Sequence, residues 1–257
     1  PIEKNLIKNI YNYSNKTGLN HLDTASNYNF NFKLLPKCKW TIDTKITINK
    51  DNTKFTSLNK IFAKFTQNKN LTLNTVYIHN PDKIFSNDGI LIMKILESYK
   101  KKKFKNIGIS VYDLKNIKKI LNNFQIDVIQ LPYNIIDRRF EKIFEYLKKK
   151  KIKIIVRSIF LQGTLIDNRH VLNKEKVFKN FKNFSKKKER NRLDLCVDFI
   201  KKNNFIDKII FGVHNINHFK QITNSNILNK INYPSKLISK ETKIIDPRKW
   251  YLQKNVH

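Results

Sequence analysis

The stretch Gly18-Leu19-Asn20-His21-Leu22-Asp23-Thr24-Ala25-Ser26-Asn27-Tyr28 reads as a short strand ending on an aspartate, followed by a tight polar turn that carries a tyrosine. Leu19 and Leu22 bracket polar positions, and Thr24, Ser26 and Asn27 supply turn chemistry. Where parallel strands all present their carboxyl ends to one face, an Asp at such an end with a phenol beside it is placed for catalysis. The rest of the chain has to supply those strands.

It does so at regular intervals. Short β-branched runs fall at Leu19–Asp23, Trp40–Ile46, Thr75–His79, Asn106–Val111, Asp127–Leu131, Ile152–Ser158 and Lys208–Val213. Helical patterns lie between them, at Ile2–Thr17, Phe55–Gln67, Ile90–Lys102, Leu114–Asn122, Arg138–Lys150, Asn191–Asn203 and Ile216–Asn224. Phe140, Ile143, Phe144 and Leu147 sit at i, i+3, i+4 and i+7, one face of a helix. Strand and helix in strict alternation imply parallel strands with helical crossovers. No Gly-rich fingerprint opens any helix, which removes the main support for a doubly wound nucleotide-binding fold. The fold class expected is therefore α/β, a (β/α)8 TIM-type barrel formed as one domain over residues 1–257. The first element is a helix, so the first barrel strand is missing. Residues 160–188 are long, polar and charged, and read as a mobile loop. Residues 233–257 read as a closing segment anchored by Trp250 and Tyr251.

Composition sets the limits. With 257 residues, 40% of them hydrophobic, the chain can bury a sizeable core. No apolar run approaches the roughly 20 residues of a membrane span, and no cleavable signal sequence is evident. The chain begins at Pro1 rather than Met, which reads as a fragment or a processed product. Cys38 and Cys196 match no metal-ligand spacing and are read as reduced thiols of a cytoplasmic protein. The net charge of +32 would ordinarily suggest a nucleic acid or an anionic membrane. Here Lys accompanies heavy use of Asn and Ile, all AT-rich codons, and the Lys runs lie at solvated helix ends. No zinc finger, aromatic RNA-binding strand or GxxG clamp accompanies the charge, so no specific nucleic-acid partner is expected, and no membrane.

The residues at strand ends form a set: Asp23, then Lys45, then His79, with Tyr28 on the first loop. A phenol donates protons poorly at neutral pH unless a cation stabilises the phenolate. Lys45 can supply that charge, Asp23 can hold Lys45 by an ion pair, and His79 can hydrogen-bond a substrate oxygen. Together they make a general acid suited to protonating a carbonyl oxygen.

At this point the chain resembles the aldo-keto reductase superfamily. The residues that carry the resemblance are Gly18 with Asp23-Thr24-Ala25 and Tyr28, Thr44-Lys45, Tyr77-Ile78-His79 with Pro81, Ile107-Gly108-Ile109-Ser110, Ile129-Gln130 with Tyr133-Asn134, and Gly212. The resemblance implies a reductase of aldehydes or ketones that binds NADP, with NAD as the alternative. It places Asp23, Tyr28, Lys45 and His79 in the catalytic tetrad, with Tyr28 as proton donor. It also implies that Ser110 and Gln130 meet the nicotinamide carboxamide and Ser158 the pyrophosphate. Arg157 stands where many members stack an aromatic ring, and an Arg there can reach a phosphate or an acidic substrate. Val111 stands where members place an Asn. Near Gly212, the residues His214, His218 and Lys220 substitute for the usual basic pair at an adenosine 2′-phosphate. Gln130 to Asn134, Asp137-Arg138-Arg139 and Val156 to Gly163 resemble a bacterial branch associated with surface-sugar biosynthesis, so a small sugar-like carbonyl is the expected partner. Asp137, Arg138 and Arg139 read as a structural ion-pair cluster. A catalytically inactive relative serving as a binding or regulatory protein is the alternative function.

Overall fold

The computed structural model describes residues 4–26, 28, 31–167, 175–225 and 231–250, in two compact units. The first comprises residues 1–130 with 151–153 and 214–216; the second holds the remainder. The expectations for residues 168–174 and for Tyr251 lie outside the described residues.

The first unit opens with helix α1 (Lys4–Lys16), which leads through Gly18, at φ +71°, into strand β1 (His21–Asp23). It continues as β2 (Trp40–Ile46), α2 (Phe55–Thr66), β3 (Leu71–Ile78), α3 (Asn87–Tyr99), β4 (Asn106–Ser110), α4 (Ile117–Asn123) and β5 (Val128–Pro132). Each strand pairs in parallel with the next, β1 to β2, β2 to β3, β3 to β4 and β4 to β5. The crossovers are amphipathic helices, as parallel pairing requires. In α2 the buried residues are Leu58, Phe62 and Phe65, a single stripe at i, i+4 and i+7.

Helix starts differ from the expected positions for local reasons. α3 begins three residues before Ile90 because the Ser86 side chain caps it, accepting a hydrogen bond from the Gly89 N–H at 3.1 Å. α4 begins after Leu114 because Asp113 accepts from the Lys115 N–H at 2.8 Å and Asn116 adopts a left-handed φ of +60°.

The second unit holds the last residues of β5, then α5 (Glu141–Lys149), β6 (Lys153–Arg157) past its first residue, α6 (Lys176–Lys187), α7 (Arg192–Lys201), β7 (Lys208–Ile209), α8 (Ile216–Asn224) past its first residue, and the short α9 (Thr242–Ile245). β6 and β7 pair in parallel. α5 starts later than Arg138 because Asn134 first closes a turn, accepting from the N–H groups of Ile136 and Asp137 at 3.0 and 2.8 Å. Arg139 pairs with the fully buried Asp137 at 2.8 Å, the structural ion pair expected there. Burial pushes the Asp137 carboxyl up in pKa. The closing segment is fastened by the Tyr233 hydroxyl, which donates to Asp198 at 2.5 Å, while the Trp250 indole bonds within the segment, to the Ile244 carbonyl at 3.2 Å.

The expected loop over residues 160–188 needs correction in its second half, which is helix α6. Lysines dominate its composition, but Val177, Phe178, Phe181 and Phe184 form one buried stripe along it. Phe181 is 1% exposed. Phe181→Ala is expected to cost about 3–5 kcal/mol in denaturant unfolding, whereas Lys182→Ala on the exposed side should stay within about 0.5 kcal/mol. Among the described residues no helix is long and apolar enough to cross a membrane.

Candidate active site

Residues in register on parallel strands share a face of the sheet. In the first unit one face is apolar except for Thr44, with Leu22, Ile42, Ile46, Val76, Ile78, Ile107, Ile109 and Ile129. The other carries Asp23, Asp43, Lys45, Thr75, Tyr77, Gly108, Ser110 and Gln130. A β-bulge makes this sorting possible. The register steps from Ile42↔Leu73 to Asp43↔Thr75, leaving Asn74 as the extra residue. Beyond it, Thr75 and Tyr77 align with Asp43 and Lys45, and the alternation inside β3 changes phase. Asn74 secures the bulge by donating to Asp43 at 2.8 Å.

Asp23 closes β1 and Lys45 lies one residue from the end of β2. The Lys45 ammonium donates to Asp23 Oδ2 and, at 3.3 Å, to the Thr24 carbonyl. Gln130, at β5, donates to the other Asp23 oxygen at 2.9 Å. The structure thus joins three of the expected residues directly. Ser110 is in register with Gln130 and, like it, buried. His79 follows β3, two residues past Tyr77, with its backbone N–H donating to the Ile46 carbonyl at 2.8 Å. Tyr28 stands on the turn after β1 with 56% of its surface exposed. That turn is tied to β2 by the Ser26 N–H, which donates to the Lys45 carbonyl at 2.9 Å, and closed by the Tyr28 N–H on Ala25 at 3.0 Å.

Below this group lies a second polar pair. His21 faces Asp43 at 2.9 Å, and Asp43 is 3% exposed. Burial pushes the Asp43 carboxyl up, but the hydrogen bond and charge of His21, with hydrogen bonds from Asn74 and Thr75, outweigh it and hold the pKa below the usual carboxylate range.

Tyr77 has a larger place in the site than its part in the sequence motif suggested. It is fully buried, in register with Lys45 on one side and Gly108 on the other. Its ring lies 5.8 Å from the Lys45 ammonium. A Cβ on Gly108 would stand 2.5 Å from that ring, so glycine provides the notch that seats it. Burial, then the charges of Asp43 and Asp23, keep the phenol protonated far above its ordinary range. The Gln130 amide and the Thr75 hydroxyl lie close enough to favour the phenolate, yet among the described residues the hydroxyl makes no hydrogen bond of acceptable geometry. An unpaired buried hydroxyl costs about 1–3 kcal/mol. The sequence signal was available: Tyr77 precedes His79 by two, the spacing of one strand face.

In the second unit, Arg157 ends β6 and its guanidinium reaches the Ser158 hydroxyl at 3.4 Å. Ser158, Leu161, Gln162 and Gly163 all have positive φ, at +59°, +46°, +56° and +83°. Such non-glycine strain clusters at ligand-binding turns, and successive N–H groups in such turns form anion cradles. Asn134 braces the turn by donating to the Ser158 carbonyl at 3.1 Å. Gly212 and His218 also belong to the second unit, and His214 to the first. Gly212 and His214 are exposed, His218 is half-buried, and a Cβ at Gly212 would meet open space. Among the described residues no group of three or more His, Cys, Asp or Glu could hold a metal ion.

Strands alternating with helices, with an Asp–Lys pair at the carboxyl ends of the strands and a tyrosine on the following turn, place these groups where (β/α) barrels carry their active sites. The model of the Aldo/keto reductase family matches residues 1–236, and the chain belongs to that family. Solved structures of the same fold include the holo form of the aldo-keto reductase AKR11C1 from Bacillus halodurans, at 18% identity and TM-score 0.71, covering 99% of this chain and 88% of that one. The apo form of the same protein matches at 16% identity and TM-score 0.67, covering 92% and 86%. The glycerol dehydrogenase AKR11B4 from Gluconobacter oxydans matches at 16% identity and TM-score 0.66, covering 85% and 79%. No curated protein sequence matches the chain. The family's (β/α)8 barrel is therefore the fold, here with seven parallel strands and one strand lacking among the described residues. Family membership supports carbonyl oxidoreductase activity.

Proposed function

We propose that the chain is an NAD(P)H-dependent reductase of small polar aldehydes or ketones, sugar-like carbonyls included, with Tyr28 as the general acid. The observation that carries this reading is the buried Lys45 ammonium held by Asp23, in the unit that also presents an exposed Tyr28. A cation beside a phenol favours the phenolate and so eases release of the proton to a carbonyl oxygen. Thr24 and Asp23 restrain the ammonium, and Gln130 restrains Asp23, so the charge needs little reorganisation during reaction. His79 is the proposed hydrogen-bond donor to the carbonyl oxygen.

The donor set fits a nicotinamide. Its carboxamide needs both an acceptor and a donor, and among the described residues Gln130 Oε1 is buried without a hydrogen-bond partner while Ser110 offers a hydroxyl in the same register pair. The strained turn at Ser158, with Arg157 beside it, suits a pyrophosphate, and Gly212, His214 and His218 are proposed for the adenosine end. When bound, the nicotinamide supplies two electrons and a hydrogen to the carbonyl carbon. NADP is the proposed cofactor and NAD the alternative.

Titration of the purified protein with NADPH and with NADH, followed by tryptophan quenching in moderate salt, tests this. Saturable binding with one cofactor preferred is expected. Failure to bind either would overturn the assignment.

A further inference from the structure

The ammonium of Lys45 has a boundary on each side. From β1, Asp23 draws it by charge and Thr24 by its carbonyl at 3.3 Å. These occupy two of its three donors. From β3 the ring of Tyr77 meets it at 5.8 Å, near the outer limit at which a cation is attracted to a ring face. The ring fills the space over Gly108, where an added Cβ would stand 2.5 Å from it and 3.0 Å from the Val128 carbonyl of β5, so position 108 has no room for a side chain. Among the described residues the Tyr77 hydroxyl has no hydrogen bond of good geometry, though Gln130 and Thr75 lie near it, and its contact with Lys45 runs through the ring.

We propose that Tyr77 is a positioning residue, whose ring, seated over Gly108, fixes the Lys45 ammonium opposite Asp23 and so sets the acidity of Tyr28. The inference rests on the proposed role of Tyr28. Asp23 alone would let the ammonium collapse onto β1, and a lysine stem has enough rotamers to do so. The ring adds an attraction from the other side without adding a second anion. It stays neutral because burial and the charges of Asp43 and Asp23 oppose ionisation of the phenol. A phenolate there would compete with Asp23 for Lys45 and quench the field that the acid requires. The charged groups facing the ring are Lys45 and Asp43 from β2 and Asp23 from β1, and the half-buried His79 follows on its own strand.

The test is a graded series at position 77: Phe, 3,5-difluorophenylalanine and pentafluorophenylalanine, which change the ring's electron density at nearly constant shape. Within the series, turnover of a carbonyl substrate should fall by about 3- to 10-fold, and the alkaline limb of its pH profile should move upward. Cofactor affinity should stay constant across the three. A pH profile and turnover that do not change along the series would overturn the positioning role. If the wild type shows no turnover, or Tyr28→Phe leaves the alkaline limb in place, the failure belongs to the Tyr28 assignment instead. A crystal structure of Asp23→Asn gives a second readout that does not depend on variants at 77. Lys45 should remain over the Tyr77 ring when its anionic partner is removed, and an ammonium found turned away would also overturn the proposal.

Discussion

Replacement of Tyr28 by Phe is expected to lower carbonyl turnover by about 10²-fold or more while leaving cofactor affinity and stability unchanged. The substitution keeps the ring and removes one hydroxyl. With 56% of its surface exposed on a surface turn, Tyr28 contributes little to the core, so its loss should shift stability by no more than about 0.5 kcal/mol. The turn itself is held by backbone bonds, from Tyr28 to Ala25 and from Ser26 to Lys45, and these survive the change. Any fall in rate then reports on the proton and not on the fold. Steady-state turnover with a panel of small carbonyls, beside a cofactor titration, decides the matter. A Tyr28→Phe enzyme as fast as the wild type would end the mechanism.

Lys45→Met should act on stability and chemistry together. The Lys45 side chain is 6% exposed and that of Asp23 is 17% exposed, so removing the ammonium strands a largely buried carboxylate. Loss of one partner of a buried pair costs about 3–5 kcal/mol. Asp23 keeps its hydrogen bond from Gln130 and some contact with solvent, so about 2–4 kcal/mol is expected here. Turnover should drop by about 10²–10³-fold, as when one preorganised charge-stabilising donor is lost. The double variant Asp23→Asn, Lys45→Met separates the effects, because an uncharged pair no longer carries the desolvation penalty. Urea unfolding of the double variant should recover much of the lost stability, while turnover stays low. Recovery of turnover with stability would make the pair structural and remove Lys45 from the chemistry.

Much of the fold could be read in the chain because the elements are local. The β-branched runs, the amphipathic stripes of α2 and α5 and the lack of a Gly-rich fingerprint each follow from a few neighbouring residues. Errors arose where a side chain outside the periodic run set the boundary, as Ser86 does for α3 and Asn134 for the turn before α5. α6 escaped because its lysines hide a phenylalanine stripe, and average polarity is a poor guide to a helix with one buried side.

By itself, then, the sequence determined the alternation of strands and helices, and the placement of Asp23, Lys45 and His79 at strand ends with Tyr28 on the turn after the first. Tertiary structure decided what those residues do to one another. The bulge at Asn74 changes the phase of β3 and puts Tyr77 beside Lys45, and the resulting face lets Gln130, 107 positions from Asp23, donate to its carboxylate. Neither contact has a local signature. A one-residue shift in strand register exchanges the two faces of a sheet, and only pairing with the neighbouring strand fixes that register.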